Sequence, residues 1–478
     1  MLRLRFVVVA SLVLIGAAPL AARAQQQTAS PDAAPAARPG DFPSDAQILA
    51  IIKQRVDEKR SAGIVIGILE PDGRMRVVSY GDAGPGQPAL DANTVFEIGS
   101  ISKVFTSTLL AQMSQEGKVR LDDPVQKYLP AEVTIPARGG KSITLLNLAE
   151  QNSGLPRMPD NFHPADAANP YADYSVQQMY DFLSHYQLTR DPGEQFEYSN
   201  LGVGLLGHAL ARAAGTSYEN LVRSRIFVPL GMTHTSITFT PWMKSHLALG
   251  HDEQGRVVAN WDLPTLAGAG AIRSTTDDML KFAAANVHPE RGPLQQAMAL
   301  AQRERAAAGG MRIGLNWLSI HPPGGDTIVW HNGGTGGYRT FIGLQPSRKR
   351  AVVVMTNTTG PGADDIGMHL LNSALPLAPR PTPMKQRVAI ELGADALAAY
   401  VGTYQLAPTF AILVTLKDGA LYGQATGQPA VRLWPETPSD FFLKEVDAQV
   451  SFVRDAQGAV RELVLHQNGQ NVKGPKVP

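Results

Sequence analysis

The 478-residue chain contains no cysteine. Disulfides, thiolate nucleophiles, iron–sulfur clusters and Cys-ligated zinc are therefore excluded together. Charge is also scarce: 18% of residues are charged, and 43 Lys and Arg against 42 Asp and Glu leave a formal net charge of +1. Nothing in that balance draws the chain to nucleic acid or to an anionic membrane. H-E-x-x-H is absent and the eleven His are scattered, so no metal and no other cofactor is expected. Hydrophobic residues, by contrast, make up 44% of the chain, as in folded proteins with a large core. The length suggests two or three domains. Any chemistry here must run on oxygen and nitrogen side chains.

Arg3 and Arg5 precede an apolar run from Phe6 to Ala18, and Ala22-Arg23-Ala24 places small residues at −3 and −1 of a cleavage site. This is the three-part pattern of a secretory signal peptide over residues 1–24. The run falls short of the ~20 residues that span a bilayer, and without Cys there is no lipoprotein processing. Cleavage removes three Arg and no acid, leaving a net charge of −2. The expectation is a soluble protein, periplasmic or secreted, with no stable membrane anchor once the leader is gone.

Residues 25–44 are rich in Gln, Ala and Pro and read as a linker. Ile48, Leu49, Ile51, Ile52 and Val56 then recur at helical spacing. Gly63 to Leu69 and Met75 to Tyr80 are β-prone runs joined by Pro71-Asp72-Gly73, a hairpin signal. From about 100 to 300 the pattern is helical. Strand patterns return at Met311 to Ile320, Thr327 to Trp330, Tyr338 to Leu344 and Ala351 to Thr356, and a helix closes near Asp364 to Leu375. Strands at both ends imply one sheet built from distant segments with an all-helical region inserted, in a domain over 45–376. A site belongs where those parts meet. Pro376 to Pro383 holds four prolines in eight residues and marks a second linker, 377–390. Residues 391–478 carry short alternating strands with turns at Lys417-Asp418-Gly419, Asp455-Ala-Gln-Gly458 and Gln467-Asn468-Gly469. That spacing suggests a small antiparallel barrel of about eight strands.

Ser100, in Phe96-Glu-Ile-Gly-Ser-Ile-Ser-Lys-Val-Phe-Thr106, follows a glycine and precedes a helix in which Phe105, Leu109 and Met113 share a face and Gly117 is the stop. Lys103 lies one turn on, on the same face as Ser100. A buried lysine loses several pKa units and becomes a base, and the helix N-terminus favours the anion formed on attack. Ser-x-x-Lys alone is a weak signal that also fits an N-cap serine. The G-x-S-x-G elbow is absent. Gly139-Gly140-Lys141-Ser142 lacks the first glycine of a phosphate loop, since Ile135 stands there, so an NTPase is rejected. Two further segments supply partners. Phe196-Glu-Tyr-Ser-Asn-Leu-Gly202 sets Tyr198 two residues before Asn200, ahead of an apolar helix. Beside a lysine the Tyr198 phenol could ionise and act as a base, with Asn200 hydrogen-bonding a substrate amide. Trp330-His-Asn-Gly-Gly-Thr-Gly-Gly-Tyr338 lies between two predicted strands, where repeated glycine marks close approach of a ligand to the backbone.

Ser-x-x-Lys, Tyr-x-Asn and His-x-Gly in that order resemble the three active-site motifs of the serine β-lactamase and penicillin-binding-protein superfamily, above all its class C β-lactamase-like group. Leu121 to Pro130, Asn152-Ser-Gly-Leu-Pro156 and Gly268 to Ser274 add to the likeness, which covers roughly residues 45 to 375. Residues 395 to 470 separately resemble the lipocalin-like domain appended to many such hydrolases. The resemblance implies an α/β (α+β) fold of an antiparallel sheet flanked by helices, and a two-step acyl transfer. In it Ser100 is the nucleophile, and Lys103 and Tyr198 move the proton. Asn200 orients the substrate, His331 and Gly333 hold the first and third places of the third motif, and the N–H groups of Ser100 and Gly334 form the oxyanion hole.

The third motif departs from the Lys-Thr-Gly of class C β-lactamases, since His331-Asn332-Gly333 carries no permanent cation at pH 7. His-x-Gly is a form that related esterases and peptidases often show. The resemblance therefore implies hydrolysis of ester or amide bonds in a small-molecule or peptide substrate, of the esterase, D-aminopeptidase or DD-carboxypeptidase type. A true β-lactamase and a non-turnover sensor of penicillin or cell-wall fragments are the alternatives.

Overall fold

The strand Gly63–Leu69 is buried at every position, and its alternation lays out the architecture. The computed structural model describes residues 42–360, 362–380, 387–407, 410–426, 430–444, 448–467 and 470–477. In it, Val65 and Leu69 enter one hydrophobic core and Ile64, Ile66 and Ile68 another. A sheet covered on both faces needs apolar residues on both sides of each strand, hence the unbroken apolar run.

The sheet has eight strands, in chain order β1 (Gly63–Leu69), β2 (Met75–Gly81), β3 (Ala306–Ala308), β4 (Met311–Ile313), β5 (Leu318–Ile320), β6 (Ile328–Gly334), β7 (Arg339–Gln345) and β8 (Arg350–Thr356). In space they run β2-β1-β8-β7-β6-β5-β4-β3, and every neighbouring pair is antiparallel. Strands from the two ends of the domain meet where β1 pairs β8, with Ile64 opposite Thr356 and Leu69 opposite Ala351. One face is covered by Ile48 and Ile52 of the helix Asp45–Asp57 and by Ile366 and Leu370 of the helix Asp364–Leu371. Arg55 and Asp365, both largely buried, join these two helices at 2.6 Å. The opposite face carries the larger core and the helical region. At its centre the helix Ser102–Gln115 is buried around nearly its whole circumference, and Phe105 stacks on Phe282 with ring centroids 3.9 Å apart. Gly117, with φ of 70°, ends it as expected.

Three expectations change. The run Met311 to Ile320 is a hairpin, β4 and β5, because Asn316 takes a left-handed conformation with φ of 57°. The glycine-rich segment lies only in part between strands: β6 continues through Gly334, and Thr335 to Tyr338 link it to β7. The closing helix ends at Leu371. A ladder of Val95–Glu97 with Arg273–Thr275 is too short to show a period in the sequence.

A second compact unit begins at Pro379. Its eight strands, from Gly402–Ala407 to Gln470–Val477, form a closed barrel, sealed where Thr403 faces Val477 and Tyr404 faces Lys476. Tyr400, Tyr404, Phe441 and Phe452 pack ring against ring inside it, and the Tyr404 hydroxyl donates to the Tyr400 carbonyl at 2.8 Å. Asp418 and Gly419 take the left-handed conformations of a tight hairpin turn. The leader, all but the last three residues of the first linker, residues 381–386 and the turn at 468–469 lie outside the described residues. Among the described residues no helix is long and apolar enough to cross a membrane.

Candidate active site

Ser100 sits in a 3₁₀ turn, Gly99–Ile101, that leads into the helix Ser102–Gln115. Gly99 has φ of 51°, in the left-handed region where a side chain is strained. A Cβ there would also stand 2.6 Å from the backbone nitrogen of Gly334. Gly99, together with Gly333, whose Cβ would overlap the Ile98 carbonyl, lets the turn bearing Ser100 press against the end of β6. Ser100 is half-buried between a buried Gly99 and a buried Ile101.

Lys103, in the first turn of that helix, is fully buried. Its Nζ lies 2.9 Å from Ser100 Oγ and donates to the Ala269 carbonyl at 2.7 Å. Burial, aided by the positive charge of Arg157, holds its pKa well below 10.5. When neutral, the amine can keep one N–H on Ala269 and turn its lone pair to the serine hydroxyl.

Tyr198 comes just before the helix Asn200–Ala213, and Ser199 is that helix's N-cap. Ser199 Oγ accepts from Gly202 N at 2.8 Å and donates to the Pro156 carbonyl at 2.6 Å. The Ser199 N–H donates to Gln151 Oε1 at 2.7 Å. Gln151 is itself fixed by Asn316 at 2.7 Å, and Asn316 donates to Ser107 at 2.9 Å. This buried chain ties the second motif to the nucleophile's helix. The Tyr198 ring has Lys103 Nζ 4.9 Å from its centroid and the Arg157 guanidinium at 5.2 Å. Burial pushes the phenol up to about 12 against the opposing effects of a hydrogen bond with Ser100 and the charge of Arg157. The phenol therefore stays protonated at neutral pH, and Lys103 rather than Tyr198 is the group whose basicity suits accepting a proton.

Asn200 brings its Nδ2 to 3.5 Å from the Tyr171 hydroxyl, while its buried Oδ1 has no hydrogen-bond partner. His331, on β6, is buried with its ring centroid 6.4 Å from that of Tyr198. Its Nδ1–H donates to the Asn332 carbonyl at 2.6 Å. Burial, then the neighbouring Lys103, lowers its pKa to about 3, so the imidazole is neutral. The structure thus brings Ser100, Lys103, Tyr198, His331 and Gly334 to one place, with Asn200 beside them.

The glycines of the third segment also leave space that the protein itself fills. A Cβ on Gly333 would overlap the Ile98 carbonyl, and one on Gly334 the guanidinium of Arg339. Gly336 faces the Trp261 indole and Gly337 the backbone of Gly250. Sequence reasoning also missed four participants. Arg157 directly follows Asn152-Ser-Gly-Leu-Pro156 and could have been found there. Ala269 acts through its carbonyl, so no side chain announces it. Gln151 and Asn316 are far apart in the chain and meet only in the fold.

The Beta-lactamase family model matches residues 48–374, and a Domain of unknown function (DUF3471) matches residues 386–474. A beta-lactamase of Pseudomonas fluorescens is 30% identical over 360 residues, covering 68% of this chain and 96% of the relative. The D-alanyl-D-alanine-carboxypeptidase/endopeptidase AmpH of Escherichia coli (strain K12) is 32% identical over 308 residues, covering 60% and 78%. Penicillin-binding protein 4* of Bacillus subtilis (strain 168) is 26% identical over 413 residues, covering 80% and 87%. A beta-lactamase/D-alanine carboxypeptidase from Pseudomonas syringae shares the fold, with a TM-score of 0.61 at 21% identity over 69% of this chain and 98% of that one.

Proposed function

The chain belongs to the beta-lactamase family of serine hydrolases, and on that premise we propose that it is an exported enzyme that hydrolyses ester or amide bonds through an acyl-enzyme on Ser100. The observation that carries this is the 2.9 Å contact between Ser100 Oγ and the buried Lys103 Nζ. As Oγ attacks the substrate carbonyl, its proton passes to neutral Lys103. The Tyr198 phenol protonates the leaving group and recovers its proton through Lys103. The N–H groups of Ser100 and Gly334 receive the oxyanion, each contributing ~3 kcal/mol. Asn200 Oδ1, buried without a partner, accepts an N–H from an amide substrate. Water then releases the acyl group.

The third segment favours the esterase, D-aminopeptidase or DD-carboxypeptidase type. His331 is neutral, and the Asn332 amide donates to Asp364 at 2.6 Å. Neither presents the fixed cation with which class C β-lactamases help hold an antibiotic's carboxylate. Hydrolysis of β-lactams is the second reading, favoured by the identity to the Pseudomonas fluorescens beta-lactamase over 96% of its length. We place the hydrolase domain over 45–376, the leader over 1–24, a linker over 377–390 and a separate lipocalin-like barrel domain over 391–478. Steady-state turnover of a p-nitrophenyl ester, a D-alanyl-D-alanine peptide and penicillin tests the type. The expected result is faster turnover of the ester or the peptide; penicillin turned over with both others inert would overturn it.

A further inference from the structure

Two basic side chains stand against the Tyr198 ring, Lys103 with Nζ 4.9 Å from the centroid and Arg157 with its guanidinium at 5.2 Å. Backbone bonds, not its charge, fix Arg157 there. Its carbonyl accepts from Asn200 N at 3.0 Å and from Leu201 N at 3.2 Å, and the preceding Pro156 carbonyl accepts from Ser199 Oγ at 2.6 Å. Arg157 is thus stapled to the start of the helix Asn200–Ala213, which follows Tyr198 directly. Gln151 to Leu155 before it are buried, whereas Arg157 is exposed. Among the described residues no hydrogen bond or ion pair engages its guanidinium. Two other titratable groups near the Tyr198 ring carry no charge at neutral pH: burial raises the Tyr171 phenol and lowers His331 to about 3. Arg157 is then the permanent cation of this cluster. A guanidinium without an anion of its own favours negative charge on the oxygen of the ring it faces. That effect grows once a substrate displaces water from the cleft.

We propose that Arg157 is a positioning residue that acts through Tyr198, its fixed charge stabilising the phenolate that exists while the phenol proton is on loan to the leaving group. This rests on the reading of Ser100 as an acylated nucleophile and Tyr198 as the proton donor. Ser100 Oγ gives its proton to Lys103 as the new C–O bond forms. On collapse of the adduct the leaving oxygen keeps the electron pair of the broken bond and takes the Tyr198 proton. The phenolate recovers a proton from Lys103, and the amine is neutral again. Arg157 assists the middle step, and its effect is largest where the leaving group most needs a proton.

Two uncharged esters with one acyl group test it. The p-nitrophenolate of p-nitrophenyl butyrate departs without a proton, whereas the ethanol of ethyl butyrate must take one. The quantity read is the ratio of kcat/KM for ethyl to p-nitrophenyl butyrate in the wild type, Arg157→Gln and Arg157→Lys. Arg157→Gln should lower that ratio on the order of tenfold, through kcat, and Arg157→Lys should keep part of it. In Arg157→Gln the acid limb of kcat/KM should also move to higher pH, because Lys103 loses a like charge and holds its proton more firmly. An unchanged ratio, a KM raised equally for both esters with kcat unmoved, or equal losses in the Gln and Lys variants overturns the assignment while leaving hydrolysis intact. So does a wild type that cleaves p-nitrophenyl butyrate but not ethyl butyrate. If the wild type cleaves neither and a fluorophosphonate leaves Ser100 unlabelled, the hydrolase reading falls, and this inference with it.

Discussion

A Cβ on Gly99 would come within 2.6 Å of the Gly334 backbone nitrogen, so the turn that carries the nucleophile and the strand that lines the site are in direct backbone contact. Gly99→Ala asks two things at once: a left-handed alanine and a displaced β6. A single strained backbone position costs about 1–3 kcal/mol. The expected outcome is a lower denaturation midpoint together with much slower labelling of Ser100 by a fluorophosphonate. Unchanged labelling would mean that the contact does not shape the site.

Lys103 works as a base only when neutral, so activity belongs to the pH range above its pKa and is lost as pH falls through it. Because burial holds that pKa well below 10.5, the acid limb of kcat/KM should lie well below 10.5. Tyr198, raised to about 12, should add no alkaline limb below pH 10. Lys103→Arg, which cannot give up its proton, should cost roughly 10²–10⁴-fold in kcat. A limb at the ordinary lysine value would mean that Lys103 is charged at neutral pH.

His331 makes stability depend on pH in a definite direction. Its pKa is about 3 in the folded chain against an ordinary 6.5, so between those values the unfolded chain binds the extra proton. The stabilising effect of a neutral His331 is full above 6.5 and is lost as pH falls from 6.5 toward 3. Urea midpoints measured at pH 7 and pH 4.5 should fall, and His331→Asn should shrink the fall. An equal fall in the variant would assign the effect to other groups.

Asn316 joins Gln151 to Ser107, and Gln151 in turn holds the backbone N–H of Ser199 beside Tyr198. Asn316→Ala leaves two buried polar groups unpaired, at about 1–3 kcal/mol each. Urea unfolding should show the loss. The kcat for an ester should also fall, because Tyr198 is no longer fixed over Lys103. A stability loss with kcat unchanged would confine this chain to a structural role.

Much of this site is legible in the sequence because its chemistry is carried by side chains at short spacings. Ser100 and Lys103 share one helical turn, and Tyr198 and Asn200 flank one N-cap. The strands Gly63–Leu69 and Arg350–Thr356 are apolar throughout because both sheet faces are covered. What stayed hidden depends on long-range geometry. The carbonyl of Ala269 has no side-chain signature, and the Gln151–Asn316 pair exists only once the β4–β5 hairpin returns to the helical region. The glycines after His331 suggested ligand approach, but not that Ile98, Arg339, Trp261 and Gly250 take the space a side chain there would need. A glycine's close neighbour cannot be read from its own sequence.

The activation of Ser100 by Lys103 is tested most directly by intact-mass analysis and peptide mapping after incubation with a fluorophosphonate, for the wild type, Ser100→Ala and Lys103→Ala. One adduct per wild-type chain, mapped to Ser100, absent from Ser100→Ala and formed far more slowly in Lys103→Ala, is the expected result. An adduct on another residue, or wild-type ester turnover by Ser100→Ala, would contradict it.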